Sequence, residues 1–367
     1  MRRKEWSMMN RYERNRIPAV PFDPETPEYQ NAVIDLATYW TQIDGDLHLA
    51  DAEHAERIHR SRTDGAIFDY PRALHWQDPE EVQAHTDIAY LPDGGYGENQ
   101  VRGHLLDVYL PNDAVVRGGK TTPVYIDIHG GGFCYGYKEL NRNFNTHLAA
   151  QGFGVFSLNY RPAPQTNLLG QLADIEAALC WIRDHLSEFP LSPTDIFITG
   201  DSAGACLALL ALAIENSENA ARAFQIGEVS GLNFAGGALV SGVYNLSPQV
   251  SDSDESSARE LLTQMLGDAF FTDLDDALPY LNPDSLMRHV ADIPPLYLVT
   301  SSDDFIQAQT LQLATALAVH DRDFELHDFT VPKTQTLGHV FSVGMTWLPE
   351  SQRVLQQIRD FSYNIAS

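Results

Sequence analysis

A serine stands between two glycines in Gly200-Asp201-Ser202-Ala203-Gly204, where the apolar, β-branched run from Ile196 gives way to a stretch rich in small residues and leucine. Two readings fit it. Glycine permits tight turns and serine caps helices, so a strand can reach a helix this way without chemistry. Alternatively, the serine sits on a sharp strand-to-helix turn with its hydroxyl raised as a nucleophile, and five residues alone do not separate the two. The chemical reading makes demands on the rest of the chain. A serine hydroxyl is a weak nucleophile without a base, the base needs an acid to orient it, and the developing oxyanion needs donors. Each demand has a candidate: Asp303 or Asp304 in LVTSSDDFIQ, and His339 in TQTLGHVFSV. The donors would come from the glycine run His129-Gly130-Gly131-Gly132, where no Cβ keeps the backbone from a substrate, and from Ala203, which opens the next helix.

Position strengthens these candidates. In open parallel sheets, ligands bind at the carboxyl ends of the strands, and each candidate follows a strand-like run: PVYIDIH (123–129), DIFITG (195–200), PPLYLVTSSDD (294–304) and DFELHDFTV. Their chain order, serine then acid then histidine, suits a strand–serine–helix turn. The other histidines fit less well. His129 shapes the glycine run more naturally than it serves as base, His320 and His327 have no acid-bearing loop beside them, and HAERIH (54–59) lacks a metal-binding spacing. Strands also read at 82–92, 103–111, 154–160 and 234–244, the first two as an antiparallel pair, with the clearest helices at 168–186 and 306–320. This alternation predicts a mostly parallel central sheet flanked by helices. Residues 1–80 read as a helical segment and 81–367 as the catalytic domain, with 245–292 as an insertion.

The 367 residues, 44% of them apolar, can bury a substantial core. With 24 Lys and Arg against 50 Asp and Glu, the net charge of −26 argues against nucleic acid and anionic membranes as partners. Cys134, Cys180 and Cys206 are odd in number and lie in or beside apolar stretches, which argues against a disulfide framework. The basic N-terminus leads into no apolar targeting core, and 205–214 is too short to span a bilayer, so the expectation is a soluble cytoplasmic protein, with Met8 and Met9 as alternative starts.

Together, His129-Gly130-Gly131-Gly132, NYRPAPQ with its following helix, GDSAG and the Asp and His loops resemble the hormone-sensitive lipase-like family of α/β hydrolases, over about residues 105–345. The resemblance implies an α/β-hydrolase fold with a helical cap, drawn from residues 1–80 and the insertion. It implies Ser202 as nucleophile, His339 as base, and Gly131, Gly132 and Ala203 as oxyanion donors. The family commonly has Asp-Pro-Leu after the acid-bearing strand, and Ile306 matching the Leu favours Asp304 over Asp303. Departures are Ala205 where a second glycine is usual, Pro162 and Gln165, and Val340 where glycine is frequent. The implied activity is hydrolysis of small or aryl carboxylic esters of short acyl chain, needing no cofactor or metal. An amidase or formamidase with the same groups, and a non-catalytic receptor on this fold, are the alternatives. Phe133, Asp201, Tyr39 and Trp40 are the expected substrate contacts, the last two on an apolar helical face over the site. The oligomeric state is left open.

Overall fold

The computed structural model describes residues 45–92, 94, 103–112, 114, 122–248, 257–332 and 335–366. Eight strands form one sheet: β1 (Val82–Ala89), β2 (Leu105–Pro111), β3 (Thr122–Ile128), β4 (Gly154–Leu158), β5 (Leu191–Asp201), β6 (Phe234–Val240), β7 (Leu296–Ser301) and β8 (Phe324–Phe329). Their spatial order is β1-β2-β4-β3-β5-β6-β7-β8. β2 runs antiparallel to both of its neighbours, and the pairings from β4 to β8 are all parallel.

The longer helices are α1 (Ala52–Ala73), α2 (Arg142–Ala150), α3 (Leu168–His185), α4 (Ala203–Glu215), α5 (Ala258–Leu266), α6 (Gln307–Val319) and α7 (Pro349–Ile365). Parallel neighbours need crossovers, and α2, α3, α4 and α6 supply four of them, so both faces of the sheet are covered. β2, β4 and β7 are accordingly buried along their whole length, whereas β1 and β8, the edges, are largely exposed. Successive side chains of a strand point to opposite faces. Ile126, Ile198 and Leu298 join Leu172, Leu209 and Leu313 in one core, and Tyr125, Phe197 and Tyr297 join Phe144 and Leu355 in the other.

Helix α4 is apolar all round and buried from Ala203 to Ile214, as a helix packed between a sheet and other helices must be. The connection from β6 to β7 is the longest between parallel neighbours and carries α5, which begins at a capping box formed by Ser257 and Glu260. α5 packs on α1: Arg57 donates to the Gln264 carbonyl, and Gly267 lies against the His54 ring. Among the described residues, no helix is long and apolar enough to cross a membrane.

Candidate active site

The parallel strands β3, β5 and β7 have their carboxyl ends on the same side of the sheet, and the sequence-predicted groups converge there. Ser202 directly follows β5 and precedes α4, with φ 52° and ψ −117°. A non-glycine residue in such a conformation carries roughly 1–3 kcal/mol of strain and is held by its surroundings. The Ser202 N–H donates to the Val240 carbonyl at 2.9 Å, and its own carbonyl accepts from Cys206 and Val243 at 3.3 Å each. The flanking glycines answer a different need: a Cβ on Gly204 would lie 1.9 Å from the Ile128 carbonyl oxygen, and one on Gly200 would lie 2.6 Å from the Gly204 backbone. The turn folds so sharply that backbone touches backbone, which only glycine allows.

His339, in the loop after β8, places Nε2 3.0 Å from Ser202 Oγ. Its Nδ1 lies 3.0 and 3.1 Å from the two carboxylate oxygens of Asp304. With Nδ1–H donated to Asp304, Nε2 is left to accept the serine proton. The Asp304 carboxylate is buried and also accepts the Ile306 N–H at 3.0 Å. Burial works to raise its pKa, yet the charge and hydrogen bond of His339 hold it below the usual carboxylate value. Val340, next in the chain, has φ 49° and ψ 35°. Left-handed backbone at a β-branched residue is costly, which accounts physically for the glycine frequent there in the family it resembles.

The glycine run leaves β3 in unusual backbone conformations, with φ of 110° at Gly131, 59° at Gly132 and 66° at Phe133. A Cβ on Gly131 would stand 1.9 Å from the Tyr135 carbonyl oxygen. Among the described residues, the N–H groups of Gly131, Gly132 and Ala203 have no acceptor. His129 is not the base: it is fully buried, stacks on Tyr160 at 4.4 Å, and lies 2.8 Å through Nδ1 from the Gly130 carbonyl. Burial pushes its pKa down to about 4, so it is neutral.

Two expected substrate contacts are corrected by the structure. Asp201 is buried behind the glycine run, where Oδ1 accepts the Gly130 N–H at 2.9 Å and the Asn141 amide at 2.8 Å. Being next to the serine, it points to the opposite side of the strand end and supports the loop from below. Phe133 is fully buried with its ring 5.4 Å from Phe270, and its carbonyl accepts from Ala163 and Gln171 at 2.8 Å each. The left-handed turn directs it into the core. Tyr39 and Trp40 lie outside the described residues.

Sequence reasoning missed what α1 contributes. Arg62, fully buried, forms a two-pronged pair with Asp46 at 2.6 and 2.7 Å and donates to the Cys134 and Ala163 carbonyls at 2.8 and 3.0 Å. It ties α1 to the segment that follows the glycine run. One face further along, both terminal nitrogens of Arg72 lie 3.4 Å from the His339 carbonyl. Trp76 donates to the Gly344 carbonyl at 2.9 Å. Asp69 is buried beside Arg72 and Tyr135, and burial pushes its pKa up to about 6 against the pull of Arg72. No local signal marks Arg62 or Arg72, because an arginine on a helix reads the same in sequence whether it is solvated or paired with a distant carbonyl. Two apolar side chains also stand at the site unforeseen. Phe305, 48% exposed, has its ring 4.6 Å from that of His339. Met265 of α5 brings Cε to 3.5 Å from the position a Cβ on Gly132 would occupy. Among the described residues, no group of three or more His, Cys, Asp or Glu could hold a metal.

Residues 125–341 match the model of a family described by its alpha/beta hydrolase fold. The chain belongs to this α/β hydrolase family. That agrees with the hormone-sensitive lipase-like resemblance of its motifs and with the eight-stranded, mostly parallel sheet. Among solved structures, esterase B from Lactobacillus rhamnosis is similar, at 27% identity and TM-score 0.72, over 85% of this chain and 95% of the other. Among curated relatives, the "Probable carboxylic ester hydrolase LipM" of Mycobacterium tuberculosis is 29% identical over 61% of this α/β hydrolase and 50% of its own length. Esterase LipQ of the same organism is 24% identical over 75% of this chain and 61% of its own. The chain thus spans about half the length of the first of these relatives.

Proposed function

We propose that this α/β hydrolase is a serine carboxylic-ester hydrolase acting through Ser202, His339 and Asp304. The observation that carries the reading is the continuous line of contacts from Ser202 Oγ through the His339 imidazole to the Asp304 carboxylate, at 3.0 and 3.0 Å. His339 takes the serine proton as Oγ attacks the acyl carbon, and Asp304 stabilises the imidazolium that forms. The N–H groups of Gly131, Gly132 and Ala203 receive the oxyanion. The alcohol leaves with the proton from His339, and water, activated by the same imidazole, releases the acid. Esterases among the relatives and similar structures support the ester bond as the target.

The substrate is proposed as a small or aryl ester with a short acyl group. Phe305 supports this, because the leaving oxygen must reach His339 Nε2 and the ring beside the imidazole offers an apolar platform to an aromatic alcohol. The N-terminal 80 residues and the 245–292 insertion are proposed to cover the site, as the packing of α5 on α1 near Gly132 supports.

The test is covalent. A fluorophosphonate should label Ser202 and no other residue, and Ser202→Ala should lower kcat for p-nitrophenyl acetate by on the order of 10⁶. Labelling that persists in Ser202→Ala would remove the nucleophile from the proposal.

A further inference from the structure

Two carboxylates stand side by side after β7, and the structure aims them at different targets. Asp304 holds the His339 ring. Asp303 turns to the chain that carries that ring: its Oδ2 accepts from Thr336 Oγ1 at 2.6 Å, Leu337 N–H at 2.9 Å and Gly338 N–H at 3.1 Å. Its Oδ1 accepts from Ser301 Oγ at 2.8 Å, which fixes the carboxylate against the end of β7. The three donors are the three residues that immediately precede His339.

This segment needs holding. Gly338 has φ 73° and Val340 has φ 49°, so His339 lies between two left-handed residues in a turn that the backbone does not favour by itself. Arg72 of α1 meets the His339 carbonyl from the other side. The histidine backbone is thereby gripped before its N–H by an anion and at its carbonyl by a cation. Hydrogen bonds to a charged acceptor are about twice as strong as neutral ones, and here three converge on one oxygen.

We propose that Asp303 is a positioning residue for the reaction, setting the backbone of His339 so that Nε2 stays within reach of Ser202 Oγ. The proposal rests on the serine-hydrolase reading above. Asp303 touches no reacting atom, so its contribution is geometric, and a misplacement on the ångström scale is enough to cost about 10²-fold in rate.

Asp303→Asn keeps the shape but puts a neutral amide where three donors meet. Its rate of Ser202 labelling by a fluorophosphonate should fall roughly 10- to 100-fold, with Ser202 still the labelled residue. On p-nitrophenyl acetate the loss should appear in kcat with KM little changed, because the substrate is not touched. Thr336→Val removes one of the three donors and should slow labelling less, and the double variant should lose less than the product of the single losses, since both act through one oxygen. A labelling rate within about twofold of the parent in Asp303→Asn, or losses that multiply in full, overturns the proposal. Should Asp303→Asn not fold, Thr336→Val decides: a folded variant that labels at the parent rate overturns it equally. Labelling reads the Ser202–His339 pair independently of the substrate. A parent protein that labels yet cleaves no ester therefore defeats the ester reading, while Asp303 is judged on labelling rates alone.

Discussion

Ser202, His339 and one of two adjacent acids were legible because chemistry fixes their order and their places after strands, and the structure brings them within hydrogen-bonding reach of one another. The residues alone left Asp303 and Asp304 open, since neighbouring residues differ by direction and direction depends on the turn after β7; the family resemblance favoured Asp304, the one that meets His339. The same blindness misplaced Asp201, which adjoins the serine in sequence but supports Gly130 from behind. If Asp304 orients the imidazole, Asp304→Asn reverses the donor and acceptor relation at Nδ1 and favours the wrong tautomer. The expected loss in kcat is about 10⁴-fold, the size seen when that tautomer is lost in another triad, with the circular dichroism spectrum unchanged. A folded Asp304→Asn that keeps more than about a tenth of the parent kcat would move the orienting role elsewhere.

Among the elements, strands β1 to β8 and helices α3 and α6 follow the alternation and periodicity of the sequence to within a few residues. The glycine run between β3 and α2 was legible because a run without Cβ atoms leaves its backbone open whatever side chains surround it. Helix α1 was not legible in that way. Its contribution is made by Arg62 and Arg72, whose burial depends on carbonyls offered more than 70 residues later in the chain, and local pattern holds no trace of such partners. The glycine run makes a test at this scale. Gly131→Ala places a Cβ 1.9 Å from the Tyr135 carbonyl at a φ of 110°, so the loop must shift and its N–H must turn away. Loss of one oxyanion donor costs about 10²–10³ in kcat, and Gly131→Ala should fall in that range or below it. The check is kcat alongside the melting temperature: a variant that folds and retains the parent kcat would show that the Gly131 N–H does not face the oxyanion.

At the scale of the whole molecule, acidity and burial act on stability in the same direction. The net charge of −26 makes the compact state repel itself at neutral pH. Beneath the glycine run, Asp127 is buried among the Asn145 and Asn141 amides and the Ser157 hydroxyl, at 2.7, 3.1 and 3.2 Å. Burial pushes its pKa up to about 7, and that of Asp69 up to about 6, from 3.8 in each case. A carboxyl whose pKa is raised by folding binds its proton more tightly in the native state, so its contribution is complete below about pH 4 and is lost as pH climbs through 6 and 7. Asp304, lowered by His339, has the opposite sign and loses its contribution only as pH falls below the ordinary carboxylate range. Between pH 6 and pH 8 the raised pair therefore dominates, and the free energy of unfolding should decrease over that interval. Salt at about 0.5 M screens the surface repulsion far more than it screens buried groups, so under that salt the remaining slope comes from the buried groups. Asp127 and Asp69, with the raised carboxyls of Asp201 and Glu176, lower stability as pH rises, and His129, whose pKa burial lowers, opposes them. Asp127→Asn cannot ionise. Urea unfolding at pH 6 and pH 8 should show a smaller difference in this variant than in the parent, whatever its stability at either pH. Equal differences in the two proteins would mean that Asp127 does not exchange its proton across neutral pH, and that the carboxyl behind the glycine run is held in one charge state by its amide neighbours.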